Sequence, residues 1–450
     1  MAQLASGVAA RCKRGVFALV HGAYLCLPAG ARRLIVRYRP LALREFVRGH
    51  MMPVINAPPG GLYTGFRRLE RAPRSAQLRP GLSIVGFLGY SFGLGESARA
   101  LVRACEAARV NFETISIEAP FRRPHDEPAL HPRPPGAAPR EAALICLNAN
   151  GMHLLPPELL QAAAAGQYHI GHWYWELERF PAQWLDAFHA VDELWAASPF
   201  IRDCLARVSP RPVLFIPPPV EVRLQRAYAR ADFGLPADRF LFLFSYDFDS
   251  YVQRKNPRAS IAAFLEAFAP GNDGVMLAIK TLHGDRYPEQ LAELREIARA
   301  DARVRLLELS LSRDESFGLI SVCDSYLSLH RSEGFGLGMA EAMALGKPVV
   351  ATGYSGNLAF MQPDNSCLVG YRLVPVGADE YLYGEGQVWA EPDIADAARQ
   401  MRRLVQDTAF RIGIGAHAAR HMAEHFSAHA VGLRIRERLE AIAAWRARSP

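Results

Sequence analysis

The sequence predicts an α/β protein with two Rossmann-like domains that face a central cleft, preceded by a basic N-terminal extension. Apolar strand-like runs alternate with helical segments of about 10–15 residues, a pattern that indicates parallel sheets. Two such series occur, and a proline-rich segment that ends at Pro219 separates them. Half of the 450 residues are hydrophobic and 22% are charged, which permits two large cores and excludes a disordered or collagen-like chain. We therefore expect domains at residues 81–219 and 220–430, with residues 431–450 forming a final helix that packs back on the first domain.

Positive charge is concentrated in the N-terminal extension. Residues 1–80 contain 14 Lys and Arg residues and two acidic residues, a net charge of +12, whereas the whole chain carries +7. The other 370 residues therefore carry −5, which is ordinary for a globular protein. The basic excess is too small for a nucleic-acid-binding protein, so we expect no nucleic acid partner.

The extension contains an uncharged segment, residues 15–31, between two basic clusters. A membrane-spanning helix needs about 20 apolar residues, and this segment is shorter and contains Pro28. A cleaved signal peptide fits the layout, but the positive charge that follows opposes translocation. We favour a basic amphipathic segment that rests on an anionic membrane surface. A spanning helix, a signal peptide and a poorly ordered extension remain the alternatives, and residues 53–80 are expected to be a linker.

The seven cysteines are scattered along the chain and include no C-x-x-C pair. An odd number without close pairs indicates neither a disulfide framework nor a zinc module. We therefore expect reduced thiols and a cytoplasmic protein. Together with the basic amphipathic segment, this predicts a protein that contacts the inner face of the inner membrane peripherally.

The first domain opens with a buried strand at residues 83–88, a glycine-rich turn and a helix that begins near Glu96. This order is typical of doubly wound α/β units, in which ligands bind at the carboxyl ends of the strands. Gly93 and Gly95 would let a ligand approach the backbone closely, although a tight turn alone also explains them. Neither the dinucleotide-binding fingerprint nor the phosphate-binding loop of NTPases is present.

Residues 172–176 concentrate a histidine, three aromatic side chains and a carboxylate. Aromatic rings with a few polar groups are typical of a small-molecule site, and such walls hold sugars. We expect Trp173, Trp175 and Glu176 to form a wall of the substrate site. The alternative is a strand end that packs its aromatic residues in the core, with His172 and Glu176 only hydrogen-bonded.

The second domain carries a basic pair, Arg254 and Lys255, in the loop after its first strand. Two cations at the carboxyl end of a strand can neutralise the negative charge that develops on a leaving diphosphate. Asp247 and Asp249 precede this pair in a D-x-D arrangement that is also found in metal sites. Because the loop ends in cations that would serve the diphosphate themselves, we expect no metal.

The strongest pattern consists of Glu333 and Glu341, with seven residues between them that form a glycine-rich turn and a helix start. Free N–H groups at a helix start bind pyrophosphate, and glycines allow it to approach closely. Glu341 would lie about two turns into the helix and accept hydrogen bonds from ribose hydroxyls, while Glu333 would meet a sugar. The residues expected to contact a nucleotide-sugar here are Gly334, Phe335, Gly336, Leu337, Gly338 and Glu341.

These motifs resemble the retaining glycosyltransferases of family four, the group 1 transferases, which have the GT-B fold. The resemblance rests on Gly93 and Gly95 and on residues 254–256 and 333–348, and it covers residues 82–430. It implies transfer of a hexose from a UDP- or GDP-linked donor to a glycan or lipid-linked acceptor, with retention of anomeric configuration. It also implies a role in bacterial surface polysaccharide assembly and no cofactor beyond the donor itself.

Within this resemblance, the residues with catalytic roles are His172, Arg254, Lys255 and Glu333. His172 corresponds to the active-site histidine of the family's N-terminal domain. Two alternatives share the architecture: a nucleotide-sugar epimerase or hydrolase, and a non-catalytic protein that binds the donor without turning it over. A phosphorylase would need a lysine that binds pyridoxal phosphate, and the sequence offers no context for one.

Overall fold

A computed structural model describes residues 78–90, 92–118 and 130–448. The predictions for the uncharged segment and the basic clusters of the N-terminal extension fall outside these residues. No helix in the described part of the chain is long and apolar enough to cross a membrane.

The first domain is built on one parallel sheet. Its elements are β1 (Arg79–Gly86), α1 (Gly93–Ala107), β2 (Phe112–Ser116), β3 (Arg140–Cys146), α2 (Pro157–Ala164), β4 (Tyr168–Trp173), β5 (Glu193–Ala196), α3 (Pro199–Ala206) and β6 (Val213–Phe215). The six strands follow the order β2-β1-β3-β4-β5-β6. Strand β4 lies inside the sheet, and all six of its residues are buried. Helix α3 begins where the Ser198 hydroxyl accepts a hydrogen bond from the Ile201 N–H, with Pro199 in the first turn.

The second domain repeats this plan. Its elements are β7 (Phe240–Asp247), α4 (Val252–Lys255), α5 (Pro257–Ala267), β8 (Val275–Leu282), α6 (Pro288–Arg299), β9 (Val304–Glu308), α7 (Arg313–Val322), β10 (Ser325–Ser328), α8 (Leu337–Ala344), β11 (Val349–Thr352), β12 (Cys367–Val369), β13 (Tyr371–Pro375), β14 (Val388–Pro392), α9 (Ile394–Gln406), α10 (Thr408–His425) and α11 (Ala428–Arg448). Six strands form a parallel sheet in the order β12-β11-β10-β7-β8-β9. Helix α7 starts with a capping box, in which the Ser312 hydroxyl and the Glu315 carboxylate each accept from the other's backbone N–H. The predicted α/β class with two parallel sheets is confirmed.

The C-terminal helix returns to the first domain. Helix α11 lies so close to α1 that a Cβ atom at Gly432 would collide with the carbonyl oxygen of Ala104. Arg438 of this helix forms an ion pair with the fully buried carboxylate of Glu193 on β5. Three apolar side chains of α11 belong to the core of the first domain. Helix α11 therefore follows the second domain in sequence but packs on the first domain.

Strands β13 and β14 pair antiparallel to each other and form a hairpin outside the main sheets. The segment that joins them, residues 376–387, contacts the first domain. Arg179 donates to the Gly386 carbonyl, and the Arg179 N–H donates to Gln387 Oε1 over 2.9 Å. The hairpin therefore connects the second domain to the loop of the first domain that carries Arg179.

Candidate functional site

The loop after β7 presents Arg254 and Lys255 on the single turn of α4. Strained backbone flanks this turn, since Tyr251 has φ 63° and Asn256 has φ 55°. Residues other than glycine adopt such angles rarely, and they concentrate at functional sites. Asn256 also caps the next helix, because its Oδ1 accepts from the Ala259 N–H. The two cations therefore lie on a short loop that is restrained by its strained backbone and by the Asn256 cap.

Arg254, Lys255 and Glu333 form one cluster. Glu333 Oε2 lies 3.0 Å from Arg254 Nη1, and Glu333 Oε1 lies 2.5 Å from Lys255 Nζ. Arg254 also donates to the Ser332 carbonyl oxygen over 2.8 Å. Burial alone would raise the pKa of Glu333, but the charges of Lys255 and Arg254 outweigh it and lower that pKa to about 2. Three residues singled out from the sequence are therefore brought together, with the ionised Glu333 between the two basic side chains.

The turn before α8 is fixed by both domains. Gly336 has φ 95°, a left-handed conformation that favours glycine. The Ser198 hydroxyl of the first domain donates to the Gly334 carbonyl oxygen over 2.7 Å. The Glu333 N–H donates to Ser355 Oγ over 2.8 Å. A Cβ atom at Gly338 would lie 2.5 Å from the Tyr326 hydroxyl, so the start of α8 rests directly on β10.

Phe335, Leu337 and Gly338 of this turn have different surroundings. Phe335 is buried, with its ring centroid 5.0 Å from that of Phe360 and 6.1 Å from that of Phe426. Its side chain therefore packs in the core, which leaves only its backbone for a ligand. Leu337 and Gly338 are half-buried at the first turn of α8, where helix N–H groups have no partner within the helix.

Glu341 lies inside α8 and is buried. Its Oε1 is 2.8 Å from Arg313 Nη2 without a well-aligned hydrogen bond, and the same Arg313 nitrogen is 3.2 Å from Glu96 Oε1 on α1. Burial raises the pKa of Glu341, although Arg313 opposes the shift. Arg313 therefore links a carboxylate of the second domain to one of the first. Sequence reasoning missed both Arg313 and Glu96, because neither stands in a recognisable motif.

The two glycines predicted at the start of α1 differ. A Cβ atom at Gly95 would collide with the carbonyl oxygens of Tyr90 and Phe87, so the tight turn itself requires a glycine there. At Gly93 an added Cβ would meet nothing within 4 Å, and this position stays open to a ligand. The structure therefore gives Gly95 a packing role, whereas the ligand contact of Gly93 stays a prediction.

The predicted catalytic histidine lies in the core. His172 is 1% exposed, and its Nε2 is 3.3 Å from the Ile216 carbonyl oxygen. Burial lowers the pKa of His172 to about 4, so the ring is neutral at pH 7. None of its hydrogen bonds or ring contacts within the described part of the chain involves Arg254, Lys255 or Glu333. The structure does not bring His172 together with the charged cluster.

The three residues predicted to form the substrate wall have different environments in the structure. Trp173 is 0% exposed and packs against Phe180 and Phe188, with ring centroids 6.0 and 5.2 Å away. It therefore belongs to the aromatic core, which corrects its assignment to a substrate wall. The reason is its place at the end of β4, a strand that is covered on both faces.

Glu176 and Trp175 do reach the second domain. The Tyr381 hydroxyl, from the segment between β13 and β14, donates to Glu176 Oε2 over 2.7 Å. The centroid of the Tyr381 ring is 5.8 Å from that of Trp175, and the Arg254 guanidinium carbon lies 5.9 Å from the same Tyr381 centroid. Burial and the charge of Glu176 raise the pKa of Tyr381. Tyr381, which sequence reasoning missed, thus joins Glu176 to the charged cluster.

Asp247, Asp249 and His283 lie together at the ends of β7 and β8. His283 Nδ1 is 2.9 Å from Asp247 Oδ1 and 3.3 Å from Asp249 Oδ2. Such a group has the donor types of a cation site. Arg286 Nη1 also lies 2.7 Å from Asp249 Oδ2, so a protein cation already compensates part of the negative charge.

Comparison with known proteins agrees with this architecture. Residues 251–407 match a family model described as "Glycosyl transferases group 1". No curated protein sequence matches the chain. HepE of Anabaena, determined with UDP and glucose, is 15% identical over 80% of this chain and 100% of its own length, with a TM-score of 0.56. Sucrose-phosphate synthase of Thermosynechococcus elongatus is 16% identical over 81% of this chain and 100% of its own length, with a TM-score of 0.59. The chain therefore has the GT-B fold, and most of its second domain is similar to the group 1 glycosyltransferases.

Proposed function

We propose that this protein is a retaining glycosyltransferase that moves a hexose from a UDP- or GDP-linked donor to a glycan or lipid-linked acceptor. The observation that carries the proposal is the Arg254–Lys255–Glu333 cluster beside the start of α8, with Glu341 further along that helix. The match of residues 251–407 to the group 1 family supports it, as does the GT-B fold shared with a structure determined with UDP and glucose.

The chemistry follows from the charges around the donor. The bond between the anomeric carbon and the diphosphate oxygen breaks, and its electron pair goes to the diphosphate. Arg254, Lys255 and the N–H groups of the first turn of α8 stabilise that developing charge, and preorganised donors of this kind contribute about 3–4 kcal/mol each in other systems. The acceptor oxygen then bonds to the anomeric carbon on the face that the leaving group vacates, and its proton passes to a leaving phosphate oxygen. Retention then requires no protein nucleophile.

Glu333 has two roles in this proposal. Its carboxylate holds Arg254 and Lys255 in place, and as the predicted sugar contact it would also accept hydrogen bonds from sugar hydroxyls. Because its pKa is lowered to about 2, it stays ionised over the whole physiological range. A fixed negative charge here also favours the positive character that the sugar gains as the bond breaks.

A donor screen tests the proposal. We expect one class among UDP-, GDP- and ADP-sugars to raise the Tm of the full-length protein, since a ligand that binds only the folded state stabilises it. With that donor and a glycan or lipid-linked acceptor, a glycosylated product should form, and EDTA should leave the rate unchanged. Release of free sugar or an epimerised donor would replace the transferase with a hydrolase or epimerase. Binding without any turnover would indicate a non-catalytic protein, and EDTA sensitivity reversed by Mn²⁺ or Mg²⁺ would overturn the metal-free mechanism.

We further propose that the acceptor lies at an anionic membrane, in bacterial surface polysaccharide assembly. The support is the sequence of the extension, where a net charge of +12 flanks apolar residues such as Phe17 and Leu19. We expect the full-length protein to pellet with anionic liposomes, and high salt to release only part of it, because charge attraction is screened and apolar insertion is not. A variant with Phe17 and Leu19 changed to serine should be released completely by the same salt. Equal pelleting of both proteins in high salt, or no pelleting at all, would remove the membrane from this account.

A further inference from the structure

Lys280 lies on β8, on the sheet face that supports the start of α8. In the register of the second sheet, Tyr326 pairs with Leu243, and Leu243 pairs with Ala278. Residues paired in a parallel sheet project from the same face, as do residues two positions further along each strand. Lys280, which pairs with Ser245, therefore shares the face of Tyr326.

The start of α8 packs on that face of the sheet. The Tyr326 hydroxyl lies beneath Gly338, where an added Cβ atom would be 2.5 Å away, and it donates to the Ser245 carbonyl oxygen over 3.4 Å. Neighbouring strands are about 4.8 Å apart, so the Lys280 backbone is one strand beyond Ser245. A lysine side chain at the carboxyl end of this strand can reach the space in front of the helix start, where an anionic ligand is stabilised by the helix N–H groups.

The Lys280 ammonium has no partner that accounts for its position. The residue is half-buried, and it forms no hydrogen bond or ion pair with any residue that the structure describes. Burial lowers the pKa of Lys280, and the charge of Asp247 opposes this shift. Asp247 Oδ1, however, already contacts His283 Nδ1 and the Asp249 N–H. A partly desolvated charge without a partner is costly, which favours an anion from outside the chain.

We propose that Lys280 contacts the diphosphate of the bound donor, as a third cation beside Arg254 and Lys255. This inference rests on the proposed function, because the diphosphate is that of the nucleotide-sugar. Lys280 comes from a different strand than the basic pair, so it meets the diphosphate from the side of β8. The charge of Lys280 stabilises the bound ground state as well as the transition state. Loss of this charge therefore lowers mainly the affinity for the donor.

Titration calorimetry on the full-length protein tests this role with UDP, uridine and pyrophosphate, or with GDP and guanosine if the donor is GDP-linked. We expect Lys280→Met to weaken binding of the diphosphate and of pyrophosphate at least about tenfold, since it removes a charge-assisted contact. Nucleoside binding should not change, and Lys280→Arg should recover part of the loss. The Tm of the unliganded protein should stay equal or rise, because an unpaired, partly buried charge is removed. Lys347→Met is the matched control, since Lys347 is a half-buried lysine beyond the opposite end of α8, and it should change none of these values.

The outcomes separate this inference from the proposed function. Unchanged diphosphate affinity in Lys280→Met, with intact nucleotide binding by the wild type, would overturn the role of Lys280 alone. A parallel loss for nucleoside and diphosphate, with a lower Tm, would show a structural role and would also overturn it. If the wild type bound pyrophosphate through Lys280 but no nucleotide, the transferase would fail and the anion contact would stand. Failure of the wild type to bind either ligand would reject both.

Discussion

Lys255→Met is expected to lower the kcat of sugar transfer about a hundredfold or more, while the donor KM rises much less. The negative charge on the diphosphate grows as the glycosidic bond breaks, so a cation beside it binds the transition state more tightly than the ground state. Glu333 holds Lys255 in place, with 2.5 Å between Nζ and Oε1. Removal of one preorganised donor costs about 3 kcal/mol or more in comparable sites. Steady-state kinetics on both substrates measures the split between kcat and KM.

The acid side of the pH profile gives an independent readout of the same change. In the wild type, burial raises the pKa of Glu333, but Lys255 and Arg254 outweigh it and bring that pKa to about 2, below the ordinary 4.5. The stability that ionised Glu333 contributes is therefore present above pH 4.5 and is lost as the pH falls toward 2. In Lys255→Met, only Arg254 and His330 still lower the pKa of Glu333, so that pKa should rise and this acid-induced loss should begin at a higher pH.

Lys255→Arg is the control, because it keeps the charge and should retain more activity than the methionine variant. A rise in donor KM with unchanged kcat in Lys255→Met would show that Lys255 only anchors the ground state. An acid-unfolding midpoint identical to that of the wild type would contradict the coupling between Lys255 and Glu333.

Glu341→Ala is expected to weaken nucleotide binding by about ten- to a hundredfold. Glu341 is buried about one turn into α8, closer to the helix start than the two turns expected from the sequence. Its Oε1 lacks a well-aligned hydrogen bond, so ribose hydroxyls can use it as an acceptor. A buried polar group left without its partner costs about 1–3 kcal/mol. The loss should appear equally for the nucleoside and for the nucleoside diphosphate, since it concerns the ribose. Titration calorimetry with both ligands measures it.

Arg313 makes this prediction sharper. It lies 2.8 Å from Glu341 and 3.2 Å from Glu96 of the first domain, so Glu341→Ala also removes one end of an interdomain link. Arg313→Met removes the link but keeps the carboxylate, and it serves as the matched control. If Arg313→Met lowered nucleotide affinity as much as Glu341→Ala did, the effect would come from the link between domains. Unchanged affinity in Glu341→Ala would remove Glu341 from the site.

The sequence was sufficient for the two sheets and for the turn before α8, because both are local patterns. Fully buried parallel strands appear as short apolar runs, and the left-handed Gly336 lies where a glycine-rich turn opens a helix. The pairing of Glu333 with Arg254 and Lys255 was not predicted, although each residue was singled out, since the three meet only through the parallel arrangement of β7 and β10.

Burial and long-range contacts explain what sequence reasoning did not reach. Trp173 has the residue type of a sugar site, but β4 lies inside the sheet, so its side chain packs in the core, and His172 on the same strand is buried as well. Tyr381 contacts Glu176 across 205 positions of sequence, and Arg313 joins two helices from different domains. No local periodicity or spacing encodes contacts of that kind, which depend on how the domains close on each other.

The structure of the full-length protein with bound UDP or GDP tests the central claim most directly. The account predicts phosphate oxygens within hydrogen-bonding distance of Lys255 Nζ and of the N–H groups in the first turn of α8, with the ribose hydroxyls on Glu341. A nucleotide bound away from α8, or one with its base rather than its diphosphate beside Lys255, would contradict it.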